Sequence, residues 1–120
     1  MNWSGIGALF LAAAVMLGAF GAHALRGHLD AYAMGIWEKA VFYHFVHALG
    51  MLVVPVVAKS AATASRVSLL LAVGILFFSG SLYALALTGA TVLGAVTPLG
   101  GLAFIAAWLW LGISLIKNRR

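Results

Sequence analysis

The chain has 120 residues, 65% of them hydrophobic and only 8% charged, with a mean hydropathy of +1.14. An ordinary globular domain carries about 25% charged residues, so this composition excludes a fold whose main solvent is water. The formal charge is +5, but the basic residues flank apolar runs as they do in membrane proteins, which excludes nucleic acid as a partner.

Four apolar stretches follow one another, at residues 3–25, 40–58, 67–87 and 98–116. Each approaches the roughly 20 residues that a helix needs to cross a bilayer. Because a spanning segment must satisfy its own backbone hydrogen bonds in lipid, the stretches predict helices. Short connections favour an antiparallel arrangement. We therefore predict an all-α integral membrane protein, with residues 1–120 forming a single four-helix antiparallel transmembrane bundle.

Local signals mark the expected helix ends. Asp30 is suited to cap an N-terminal extension of the second helix, with Tyr32 and Trp37 at headgroup depth. Pro55 should kink the second helix or end it early. Thr97, followed by proline, is expected to cap the fourth helix. The apolar link at 88–97 leaves open an interfacial or a re-entrant path.

The distribution of basic residues predicts the orientation. The N-terminal segment, the polar turn at 59–66 and the C-terminal tail must share one side of the membrane, and together they hold five Lys or Arg. The other side holds Arg26 and Lys39 with both acids of the chain. The positive-inside rule then predicts that both termini are cytoplasmic and that the histidine-rich segment lies outside.

All four histidines lie between residues 23 and 47. His44 and His47 are three residues apart on one helix face, and His23 is expected at a similar depth on the first helix. Three imidazoles could hold a metal ion, or His23 and a partner could hold a haem. The spacing lacks the glutamate of a zinc protease motif, so the type of metal and cofactor stays undefined. A polar network joining the helices is the alternative that we favour.

Other polar side chains are expected near these histidines. The predicted polar cluster consists of Arg26, Glu38, Tyr43, Ser79, Ser81 and Tyr83. Serine hydroxyls in lipid can bond to neighbouring helices, and Arg26 suits a lipid phosphate. The chain has no cysteine, and it shows no Ser-His-Asp pattern, carboxylate pair or phosphate loop, so we predict no catalytic residue and no enzymatic activity.

Four ordered motifs resemble one known family over nearly the whole chain. The motifs are GAFGAHAL at 18–25, YHFVHA at 43–48, FSGSLY at 78–83 and TPLGG at 97–101. They resemble the domain of unknown function 423 family, small four-helix membrane proteins that include bacterial inner-membrane proteins and the mitochondrial transmembrane protein 256. The resemblance implies the four-helix fold and a bacterial inner-membrane location, and it supplies no established activity.

The same resemblance assigns family-motif positions within the chain. These positions are His23, His47, Ser79, Ser81, Tyr83, Thr97 and Pro98. Position 44 departs from the pattern, because glutamine is familiar there in relatives. A ligand function shared with the family would therefore rest on His23 and His47 without His44.

Three hypotheses for the function follow. The leading one is a non-enzymatic accessory or scaffold subunit, bound to lipid and to a larger membrane complex or a second copy of itself. The second is a haem- or metal-binding membrane protein that uses His23 and His47. The third is a small-solute or proton pathway lined by the histidines, which titrate close to neutral pH.

Overall fold

The computed structural model describes residues 1–117 and contains four long helices. They are α1 (Trp3–Leu25), α2 (Ala31–Val57), α3 (Ala61–Thr88) and α4 (Thr91–Lys117). Each is long and apolar enough to cross a membrane, and residues 1–117 contain no strand. The predicted all-α four-helix membrane fold is confirmed. Arg119 and Arg120, which belong to the tail used to predict the orientation, lie outside the described residues.

α2 and α3 begin earlier than their apolar stretches, because polar caps set their first residues. α2 starts at residue 31 rather than 40, where the Asp30 carboxylate accepts a hydrogen bond from the Ala33 N–H at 2.8 Å. α3 starts at residue 61 rather than 67, where the Ser60 hydroxyl accepts from the Thr63 N–H at 3.1 Å. Capped helices therefore extend past the apolar runs by several residues.

The apolar segment at 88–97, which joins α3 to the α-helical part of α4, is short and largely helical. α3 ends at Thr88, and Gly89 follows in the left-handed conformation with φ of 72°. A 3-10 turn at Thr91–Ala95 then leads into the α-helical part of α4, which begins at Thr97. At the other end of the bundle, α2 ends two residues after Pro55.

Each helix packs mainly against its neighbours in sequence, with α2 and α3 in the centre. α1 packs on α2 and only slightly on α3, while α4 packs on α3. The buried share of the most apolar window is 39% in α2 and 44% in α3, against 17% in α1 and 22% in α4. The two outer helices therefore offer most of their surface to the surroundings.

Two helices contain a π-helical turn. One ends α1 at Gly21–Leu25, and the other lies inside α3 at Ile75–Ser79. Such turns carry an extra residue that displaces the side chains following them, and they often occur at functional sites. Both turns coincide with motifs that contain candidate residues.

Candidate functional site

His44 lies near the midpoint of α2 and is only 5% exposed. Its Nδ1 atom lies 2.8 Å from the hydroxyl oxygen of Tyr83 on α3. Its ring also meets Phe10 of α1 edge to face, at a centroid distance of 6.3 Å. The structure thus joins two sequence-predicted residues, His44 and Tyr83, in the interior of the bundle.

The Tyr83 hydroxyl can donate to His44 Nδ1 or accept from it, depending on which ring nitrogen carries the proton. Through this hydrogen bond and its edge-to-face contact with Phe10, His44 connects α2 to both α3 and α1.

His47 is held in a stack of aromatic rings. Its Nδ1 lies 2.8 Å from the Tyr43 carbonyl oxygen, one turn earlier on α2, and donates to it because a carbonyl only accepts. The ring of Phe104 on α4 stacks on the imidazole at 3.5 Å between centroids, and the Tyr43 ring stacks at 5.9 Å. His47 and Tyr43 thus pack α2 against α4.

His23 does not join the other two histidines. It is exposed in the π-helical turn of α1, thirteen residues beyond Phe10, which packs beside His44. Thirteen residues correspond to about 20 Å along a helix. The expected common depth is wrong, because α2 begins nine residues earlier than its apolar run and His44 consequently lies at mid-helix.

The three imidazoles therefore form no common site. Among residues 1–117, no group of three or more His, Cys, Asp or Glu side chains is placed to hold a metal ion. The haem hypothesis, which pairs His23 with His47, meets the same separation along the bundle axis. A ligand function that joins His23 to His47 would have to span this separation.

The two serines of the FSGSLY motif in α3 bond to different neighbours. Ser79 is fully buried, and its hydroxyl donates to the Ala40 carbonyl of α2 at 2.8 Å. The Ser81 hydroxyl lies 2.6 Å from that of Thr97 on α4. Thr97, expected only as a helix cap, thus links two helices. These hydroxyls tie α3 to the helices on both of its sides.

Trp37 forms a hydrogen bond between two helices that the sequence did not predict. It is buried inside the bundle, with 2% of its surface exposed. Its indole N–H donates to the Leu17 carbonyl of α1 at 3.0 Å. The glycine spacing in GAFGAHAL signals this contact, since a Cβ at Gly21 would collide with Trp37. Trp37 therefore fixes α1 on α2.

Arg26 and Glu38 lie apart from this interior. Both are exposed and line a small cleft where α1 ends against α2. The Arg26 Nε–H donates to the Ala22 carbonyl at 3.3 Å. The predicted polar cluster therefore divides into an inner part, with Ser79 and Ser81 buried and Tyr43 and Tyr83 half-buried, and an exposed charged rim.

The buried hydrogen bonds connect every pair of consecutive helices. Trp37 joins α2 to α1, Ser79 and the His44–Tyr83 pair join α2 to α3, and Ser81 joins α3 to α4. Hydrogen bonds of this kind contribute about 0.6 kcal/mol each between membrane helices. In this arrangement the hydrogen bonds hold neighbouring helices together.

Comparisons with known proteins agree on a single family. The family model described as "Protein of unknown function (DUF423)" matches residues 17–101. A UPF0382 membrane protein of Staphylococcus haemolyticus is 49% identical over 113 residues, which cover 93% of each chain. The UPF0382 membrane protein YwdK of Bacillus subtilis is 43% identical over 115 residues, covering 93% of this chain and 94% of its own. No solved structure matches the chain.

Proposed function

Since this chain belongs to the DUF423 family, as its four motifs predicted, we propose that it is a non-enzymatic accessory or scaffold subunit of a larger membrane assembly. The relatives are membrane proteins, and four helices of this chain are long and apolar enough to span a bilayer. A membrane protein is therefore the starting point. The surface of α1 supports the accessory role.

The observation that carries the proposal is the outer face of α1. Small or short side chains are exposed there at alternating intervals of four and three residues. They are Ala8, Ala12, Val15, Ala19 and Ala22. This is the heptad spacing of a helix that packs closely along another helix, and small residues permit that approach in lipid. We therefore call this set the α1 alanine stripe and assign it to a partner helix.

The interior supports the same proposal. His44 and Tyr83, the interior side chains best suited to carry chemistry in lipid, are hydrogen-bonded to each other. His47 is enclosed by aromatic rings. Polar side chains whose hydrogen bonds join neighbouring helices favour a structural role.

Site-specific photocrosslinking in native membranes tests the partner face. A photoreactive residue at Ala12 or Ala19 is expected to give a discrete crosslink to one other membrane protein. The same residue at Ala106, an exposed alanine of α4, serves as the matched control and should give diffuse lipid adducts. Ala12→Phe should weaken the crosslink formed from Ala19, because the bulky ring prevents close helix contact.

Two outcomes would contradict the proposal. Lipid adducts alone from all three positions would mean that α1 faces the bilayer. Crosslinks that contain only a second copy of this chain would make the protein a homo-oligomer instead of a subunit of a larger assembly.

The proposal includes a location in the bacterial plasma membrane with both termini in the cytoplasm. Lys59, Arg66 and Lys117 lie at the end of the bundle that contains the N terminus, while Asp30 and Glu38 lie toward the other end. This charge distribution favours a cytoplasmic position for the basic end.

Reporter fusions test this orientation. Alkaline phosphatase fused after residue 120 should be inactive and green fluorescent protein there should be fluorescent, whereas the two reporters inserted between residues 27 and 28 should behave in the opposite way. An active phosphatase at the C terminus would reverse the orientation.

A further inference from the structure

A small cleft opens between the end of α1 and the beginning of α2. Its volume is about 150 Å³. Two glycines of α1, Gly18 and Gly21, leave this space, and the Trp37 ring forms part of its apolar wall. Two exposed charged residues of opposite sign, Arg26 and Glu38, complete the lining. We call it the Arg26–Glu38 cleft.

The two charges do not neutralise each other. Within the described part of the chain, Arg26 makes one hydrogen bond, from Nε to the Ala22 carbonyl, and forms no ion pair with Glu38. The guanidinium Nη groups of Arg26 therefore keep their donors available. The Glu38 carboxylate has no protein partner among residues 1–117. The cleft presents one cationic and one anionic group to a ligand.

Glu38 lies at a depth where a carboxylate without a cationic partner is unfavourable. α2 has 27 residues and is about 40 Å long, against about 30 Å of hydrocarbon. When α2 is centred in the membrane, Glu38, seven residues after Ala31, has its backbone roughly 5 Å inside the hydrocarbon boundary. Carboxylates at such depths pair with another group or reach for the interface. A cation brought by the membrane would meet this need.

We infer that the Arg26–Glu38 cleft binds the headgroup of a phospholipid that carries both a phosphodiester and a primary ammonium group. The Arg26 guanidinium donates hydrogen bonds to phosphate oxygens, for which its planar fork is well suited. The ammonium group donates to the Glu38 carboxylate. Phosphatidylethanolamine and aminoacylated phosphatidylglycerol share this chemistry, while phosphatidylglycerol lacks the ammonium group.

Native mass spectrometry of the full chain in detergent tests the site. Wild-type protein is expected to bind phosphatidylethanolamine or lysyl-phosphatidylglycerol about fivefold more tightly than phosphatidylglycerol, the order of magnitude of one partly exposed ion pair. Glu38→Gln should abolish this preference and should not weaken phosphatidylglycerol binding, because it removes only a negative charge from the cleft. Arg26→Gln should weaken the binding of all three lipids, because the phosphate is common to them. The ammonium lipid that binds more tightly, phosphatidylethanolamine or lysyl-phosphatidylglycerol, is the one that supplies the headgroup.

Lys39→Gln is the matched control, since Lys39 is exposed beside Glu38 but does not line the cleft. It should keep the wild-type preference. Equal affinity of the wild-type protein for all three lipids would overturn the inference. So would a preference that survives in Glu38→Gln, or one that Lys39→Gln removes as well. Because all three side chains are exposed, circular dichroism should show the same helix content in each variant.

Discussion

Gly100→Ala is expected to separate α4 from α3. A Cβ at this position would collide with the backbone nitrogen of Phe78, and it would lie 2.7 Å from the Phe78 Cβ and 2.8 Å from the Phe77 carbonyl carbon. These are backbone atoms or atoms fixed to the backbone, so the two helices would have to move apart. Overpacking costs about 1–3 kcal/mol in protein interiors, and we expect a loss near 3 kcal/mol in the free energy of unfolding.

The loss should be at the upper end of that range because of the solvent. Membrane helices gain little from leaving lipid, so their association depends on close packing at small residues. The contact of Gly100 with Phe78 lies beside the aromatic stack of Phe104 and His47. Unfolding in mixed micelles with increasing dodecyl sulfate, followed by circular dichroism, would measure the change.

Gly101→Ala is the control for this prediction. A Cβ at Gly101 meets only the Phe78 ring, at 3.8 Å, which is ordinary van der Waals contact. Alanine also favours a helix over glycine by about 1 kcal/mol. Gly101→Ala should therefore be as stable as the wild type or slightly more stable. If Gly100→Ala unfolds at the same dodecyl sulfate fraction as the wild-type protein, the close approach of α3 and α4 at Phe78 is refuted.

The sequence predicts the helices well because lipid imposes a strong requirement on each of them. An apolar run of about 20 residues has few alternatives to a spanning helix. The ends are less predictable, since a polar cap can start a helix well before its apolar run begins. Residues 31–39 show this: Glu38 and Lys39 interrupt the apolar pattern of α2, yet the Asp30 cap starts the helix before them.

The site was only partly predictable, because spacing along one helix says nothing about the register between two. His44 and His47 are three residues apart on α2, yet His44 contacts α1 and α3 while His47 contacts α4, and the Tyr83 partner of His44 is 39 residues away. The depth expected for His23 failed for the same reason. Trp37 was assigned to the interface because tryptophans near helix ends usually lie there. Its burial depends on the space left by Gly21.

Trp37→Ala is expected to release α1 from α2. The indole is 2% exposed, donates to the Leu17 carbonyl at 3.0 Å and packs on the Tyr83 ring at 4.7 Å. Removal of a buried tryptophan side chain costs about 3–5 kcal/mol in water-soluble proteins. We expect about 3 kcal/mol, because in lipid the loss comes from the packing and the cavity with little contribution from hydration. The dodecyl sulfate titration used for Gly100→Ala measures it.

Two further variants separate the causes of that loss. Trp37→Phe keeps most of the ring but removes the indole N–H, so it should lose about 0.6 kcal/mol for the hydrogen bond and a smaller part of the packing. Trp110→Ala removes a tryptophan that is 40% exposed on α4 and whose ring contacts the Arg66 guanidinium at 5.9 Å, and it should lower the free energy of unfolding by only about 1 kcal/mol. Equal losses from Trp37→Ala and Trp110→Ala would mean that tryptophan stabilises this protein at its surface. A loss confined to Trp37 would locate the attachment of α1 in the space that Gly21 opens, next to the Arg26–Glu38 cleft.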